Sequence, residues 1–148
     1  MLRKVKNFFC LSWWEQWLFL EAFCLAGAVR LAILLLPFRW LAPFLGKQMR
    51  ESPMKEDFEK LAAAKRIGKV VETVSRHTPW ESKCLVQAIV GKVMLRQRGI
   101  NSTLYLGVCR NDGKSLVAHA WLRCGETIIT GGRSLGRFTM VGKFADDG

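Results

Sequence analysis

Five cysteines and two histidines are the side chains of this 148-residue chain best suited to covalent or metal chemistry. Cys10, Cys24, Cys84, Cys109 and Cys124 are odd in number and include no CxxC pair. That pattern argues against a disulfide framework and most structural zinc sites, and it fits a reducing, cytoplasmic compartment. A zinc site from Cys109, His119 and Cys124 lacks the paired short spacings with which one loop grips a tetrahedral ion. Neither a metal nor another cofactor is expected. Most of the cysteines therefore read as small buried hydrophobes. Cys84 stands apart, because the stretch WESKCLVQA sets it beside Lys83 near the start of a helix. Unpaired backbone N–H groups and the helix dipole stabilise a thiolate there, and the thiolate is the nucleophilic form. A nucleophile of this kind needs a base, and His119 is the first candidate. His77 and Cys109 are backups that fit structural roles better.

The elements that must position these two groups are legible in the periodicity. Thr78-Pro79-Trp80-Glu81 has the form of a capping box with proline at the first helical position, and Ser82 is a second candidate cap. With Ser82 as cap, Cys84 lies in the first turn; with Thr78, in the second. Leu85, Ala88, Ile89, Val93 and Leu95 give this helix its apolar side, and Gly99 stops it. Upstream, a charged helix from about Met54 to Arg76 turns Ile67, Val70, Val71 and Val74 to the core and Lys65, Arg66, Lys69 and Glu72 to water. Downstream the period changes to alternation. Thr103 to Cys109, a turn at Asn111-Asp112-Gly113, Ser115 to Cys124, a turn at Gly125-Glu126 and Thr127 to Thr130 predict an antiparallel meander. Val117, His119, Trp121 and Arg123 share one face of its second strand. The predicted fold class is α+β, with the cysteine-bearing helix packed on an antiparallel sheet.

Length predicts one compact domain, residues 51–148, preceded by a hydrophobic helical segment over 1–50. Half of the residues are hydrophobic, which excludes a disordered chain. The net charge of +11 points to an acidic or polyanionic partner. The basic residues are scattered and no zinc-finger or RNP motif accompanies them, so nucleic acid is not expected. Between Phe8 and Leu45 the chain is rich in Trp, Phe and Leu, but Glu15, Glu21, Arg30 and Arg39 cut it into runs too short to span a bilayer, and Pro37 and Pro43 break the helix. Arg3, Lys4 and Lys6 precede this stretch as in a signal peptide, yet the glutamates and the lack of a small-residue cleavage site argue against secretion. The expected role of residues 8–45 is packing on the domain, with contact to a partner protein or membrane surface as the second reading.

The order KCLVQAIVGKVMLRQRGI, LYLGVCR, AHAWLRCGETIITGG and RFTMVGKF resembles the transglutaminase-like leader peptidase of lasso-peptide biosynthesis in its split, stand-alone form. The resemblance covers roughly residues 55 to 144, and LPFRWL resembles that family's leading segment. It implies a transglutaminase-like, papain-like core and a cysteine protease that cuts the leader from a ribosomally made precursor peptide. By position, Cys84 matches the nucleophile and His119 the general base. The implied partners are the precursor at its leader–core junction, a separate winged-helix leader-binding protein and an ATP-dependent macrolactam cyclase. Members often carry an aspartate on the strand after the histidine. Here that strand offers Thr130, Gly131, Gly132 and Arg133, none acidic. Orientation of the imidazole is therefore left to a backbone carbonyl, the Thr130 hydroxyl, or Glu126, Asp146 or Asp147 arriving from elsewhere; a dyad is the remaining option. The oxyanion donors are expected from the Cys84 N–H and a group near Trp80 to Ser82, with Trp80 and Trp121 walling the cleft. The same residues would serve an acyl-transferring transglutaminase or transpeptidase, and a non-catalytic adaptor docked to a membrane or synthetase is the alternative from another class.

Overall fold

The computed structural model describes residues 6, 9–77, 84–111, 115–132 and 135–146. The first long element is helix α1 (Trp13–Leu35), opened by a capping box in which Ser12 Oγ accepts the Glu15 N–H and the Glu15 carboxylate accepts the Ser12 N–H. It ends at Leu36, whose extended backbone precedes Pro37. The charges expected to cut this stretch do not do so. Glu15 is absorbed in the cap, and Glu21 pairs with Arg98 at 2.6 Å, so one helix of 23 residues runs through both. An 18-residue window of it has a mean hydropathy of 2.1, long and apolar enough by composition to cross a membrane.

A short helix α2 (Phe38–Leu41), a 3-10 turn (Ala42–Leu45) and a two-residue strand β1 (Lys47–Gln48) lead to helix α3 (Phe58–Ser75). Ala64, Ile67, Gly68, Val70, Val71 and Val74 form its buried face, including the four positions expected from the period. Helix α4 (Cys84–Gln97) follows, and Gly99, at φ 69, closes it in the left-handed conformation glycine adopts freely. Val86, Ala88, Ile89, Val90, Gly91, Met94 and Leu95 are all buried, because α4 is enclosed by α1 and α3 on one side and the sheet on the other. The two possible caps of this helix, Thr78 and Ser82, lie outside the described residues.

The sheet contains β1, β2 (Thr103–Asn111), β3 (Ser115–Cys124), β4 (Thr127–Thr130) and β5 (Thr139–Ala145), in the order β1-β5-β2-β3-β4, with every pairing antiparallel. The meander β2-β3-β4 is the expected one. Strand β5 returns across it to the far side of β2, and β1 pairs with β5, so the segment before residue 51 supplies an edge strand. Leu18, Ala22 and Ala26 of α1 also join the same buried cluster as α3, α4 and the inner sheet residues Leu104, Ala120, Leu122 and Phe144.

Two buried cations fasten the layers. Lys92, 1 % exposed, donates to the Ser102 carbonyl at 2.7 Å and meets Asp146 at 3.0 Å, which ties α4 to the start of β2 and the end of β5. Burial pushes its ammonium down from 10.5 to about 8, against the pull of Asp146. On the opposite face of the sheet, Arg123 donates to the Tyr105 hydroxyl, the Ser52 carbonyl, the Gly125 carbonyl and Thr103 Oγ1, holding the 51–54 segment down over β2 and β3.

Candidate active site

Cys84 is the first described residue of α4 and is half-buried. Whether it occupies the first or second turn depends on 78–83, outside the described residues. Its Sγ accepts the backbone N–H of Ala120 at 3.4 Å, so the sulfur sits against β3 one residue from His119. That N–H is available because the β3–β4 ladder has already ended at the Leu122–Thr130 pair. The helix start thus occupies the strand edge that β4 leaves open. Lys92, eight residues further along, anchors the other end of the same helix roughly 12 Å away at 1.5 Å per residue.

His119 lies opposite Gly107 in the β2–β3 register. Its ring stacks on Phe138 with centroids 4.9 Å apart and lies 6.0 Å from Trp121. Nε2 is 2.7 Å from the carbonyl oxygen of Gly131. A carbonyl can only accept, so Nε2 carries the proton and neutral His119 keeps its lone pair on Nδ1. This is the tautomer a general base requires, with its reactive nitrogen turned from the orienting group.

The orienting atom is a main-chain carbonyl, one of the options the sequence left open. Cys124 pairs with Thr127 across the two-residue turn as expected, but the register then shifts between Leu122 and Arg123. Gly131, at φ 71, follows β4 in a left-handed turn that brings its backbone against Ala120: a Cβ there would lie 2.5 Å from the Ala120 oxygen. Thr130 is buried, and its hydroxyl has no hydrogen-bond partner among the described residues; the contact to His119 comes from the next residue's carbonyl. Glu126 does not reach the imidazole. It is exposed in the turn beyond Cys124, and five residues of strand at about 3.3 Å each put it roughly 17 Å along β3 from His119. Asp146 follows Ala145, which pairs with Thr103 at the start of β2, and is engaged there by Lys92 and Arg96; Asp147 is outside the described residues.

Trp121 is 8 % exposed and stacked at 5.5 Å on Tyr105, so it forms packed flooring next to His119 more than an open cleft wall. Gly107 makes room for it, since a Cβ there would lie 2.7 Å from the indole. Trp80 and Ser82, the other expected cleft and oxyanion residues, lie outside the described residues. Phe138 and Arg123 were not anticipated as supports: Phe138 stands in a segment without clear periodicity, and a strand arginine gives no sequence signal of burial. Cys124 is buried in the core, and burial pushes its thiol up to about 11. Cys10 and Cys24 are exposed and Cys109 is half-buried.

A thiol held against the strand that bears His119, with the Nε2 proton of that histidine tied to a carbonyl, supplies a nucleophile and a base of the kinds that thiol acyl-transfer chemistry uses. A family model described as the Transglutaminase-like superfamily matches residues 32–143. No curated protein and no solved structure matches the chain.

Proposed function

Since the chain belongs to the Transglutaminase-like superfamily, whose fold is that of cysteine peptidases and acyltransferases, we propose that it is the peptidase that removes the leader from a ribosomally made lasso precursor peptide, with Cys84 as nucleophile and His119 as base. The observation that carries this reading is the hydrogen bond from the Ala120 N–H to Cys84 Sγ, which holds the sulfur against the main chain of the residue after His119, while His119 Nε2–H donates to the Gly131 carbonyl.

His119 Nδ1 takes the thiol proton, and the thiolate attacks the last leader carbonyl. The oxyanion is held by the Cys84 N–H and a second donor. Imidazolium then protonates the leaving amine of the core, which departs and leaves the leader as a thioester on Cys84. A water molecule, deprotonated by His119, attacks the thioester and releases the leader acid. A neutral carbonyl in place of a carboxylate fixes the tautomer of His119 without adding a counter-charge. A thiol enzyme tolerates that, because the thiolate itself is the counter-charge of the imidazolium. The partners in this reading are a separate winged-helix leader-binding protein that presents the leader and an ATP-dependent macrolactam cyclase that closes the freed core, all in the cytoplasm.

The test is reconstitution with precursor and leader-binding protein, read by product mass. Wild-type protein is expected to give free leader and free core, and Cys84→Ala to give neither while melting as the wild type does. Processing by Cys84→Ala would overturn the assignment. A ligated product would transfer the same residues to an acyltransferase, and inactivity of the wild type would favour an adaptor.

A further inference from the structure

Helix α1 has two apolar faces, and the domain uses one. Leu18, Ala22 and Ala26, spaced four residues apart, are buried against α3 and α4. Half a turn round the helix run Trp13, Trp17, Leu20, Cys24, Gly27, Ala28, Leu31 and Leu35, a stripe without a charged side chain. Trp13 is 83 % exposed, and Trp17, Leu20, Leu31 and Leu35 are each more than half exposed. At 1.5 Å per residue the stripe is about 33 Å long. Trp40 and Phe44 extend the exposed apolar surface beyond Pro37. Continuous apolar surface on this scale marks a docking face.

Charge and residue type point to one occupant. Both acids before residue 50 are engaged, Glu15 in the cap and Glu21 on Arg98. Basic residues outnumber acidic ones over this segment, with Arg30 on α1 beside the stripe and Arg39 just beyond Pro37, on a chain of net charge +11. Trp13, Trp14 and Trp17 on the first turns of α1 and Trp40 beyond Pro37 are exposed, and tryptophan is the side chain enriched at a lipid–water boundary. Because the Leu18–Ala22–Ala26 face and Glu21 are fastened to the domain, the helix cannot cross a bilayer without leaving it. We infer that α1 lies in the plane of an anionic lipid surface, its outer stripe sunk among the acyl chains and its basic margins on the headgroups, so that the site at Cys84 works at a membrane. This inference does not depend on the peptidase reading.

The experiment is flotation of the full-length protein with vesicles of phosphatidylcholine, alone or with a quarter phosphatidylglycerol, compared with the double variant Leu20→Glu, Leu31→Glu. Both substituted positions face solvent, and an unchanged melting curve shows that the variant is folded. Wild-type protein is expected to rise with the anionic vesicles and much less with neutral ones, and the variant to lose at least about tenfold in partition. Wild-type protein left at the bottom of the gradient, or a variant that floats equally well, would overturn the inference; equal flotation with neutral vesicles would remove its anionic part. A dimer dissolved by the same two glutamates, without flotation, would assign the stripe to a second copy of the chain and also overturn it.

Discussion

Gly131 is where a single methyl group should separate folding from catalysis. Its carbonyl holds His119, and its Cβ position lies 2.5 Å from the Ala120 oxygen and 3.1 Å from Trp121 Cβ. In Gly131→Ala the left-handed conformation alone costs about 1–2 kcal/mol. Relieving the contact with Ala120 to an ordinary separation requires a shift of roughly 1 Å in one of the two backbones, and a displacement of that size at a reacting centre is worth about a hundredfold in rate. Both backbones belong to the site: one holds the imidazole, the other donates to Cys84 Sγ. Gly99→Ala is the matched control, with a similar positive φ but nothing within 4 Å of its Cβ position. Single-turnover cleavage of precursor, followed by mass, together with urea denaturation, separates the effects. Gly99→Ala is expected to lose about 1 kcal/mol of stability and no rate; Gly131→Ala is expected to lose somewhat more stability and about a hundredfold in rate. A folded Gly131→Ala protein that cleaves at the wild-type rate would refute the claim that the Gly131 carbonyl positions His119.

Three buried groups give further outcomes. Lys92 is held at about 8 in the fold against 10.5 when free, so between these values the unfolded chain binds the proton the folded chain has released, and stability rises with pH; the unfolding free energy from urea denaturation, wild type relative to Lys92→Met, should climb by about 1 kcal/mol per pH unit over that window, whereas a constant difference would contradict it. Lys92→Met itself should be mild near neutral pH, because Asp146 keeps Arg96 and the Ser102 carbonyl keeps the Asp146 N–H. Arg123→Met, which strips hydrogen bonds from the Ser52 and Gly125 carbonyls and the Tyr105 hydroxyl, should cost about 2–4 kcal/mol in denaturant and leave the 51–54 segment open to protease. Cys124, whose thiol burial pushes up to about 11, should resist maleimide at pH 8 until the protein unfolds, while exposed Cys10 reacts at once.

What the sequence revealed and what it hid divide along local and non-local physics. The buried face of α3, the Gly125-Glu126 turn with its Cys124–Thr127 pair and the two faces of β3 depend on period and turn chemistry, which neighbours in the chain decide. The continuity of α1 does not: Glu21 looks like a break until Arg98, 77 residues away, neutralises it. The pairing of β5 with β2 leaves no local trace either. At the site, the helix that carries Cys84 and the strand that carries His119 were legible from period and turn signals. The identity of the orienting atom escaped the sequence, because an extra residue in β4 shifts the register between Leu122 and Arg123, which counting back from the Gly125-Glu126 turn does not reveal. Lys92 hid for a similar reason, a cation at a core position being readable only once Ser102 and Asp146 are seen around it.

The most direct measurement is the rate at which each of the five cysteines reacts with iodoacetamide at pH 7, in wild type and in His119→Ala. Exposure alone orders them with Cys10 and Cys24 ahead of half-buried Cys84. A Cys84 thiol activated by His119 should invert that order and react fastest of the five, and should fall behind Cys10 and Cys24 when the imidazole is removed. Reaction of Cys84 no faster than Cys10 and Cys24 in the wild type, or a rate unchanged in His119→Ala, would contradict the pairing of this thiol with this base.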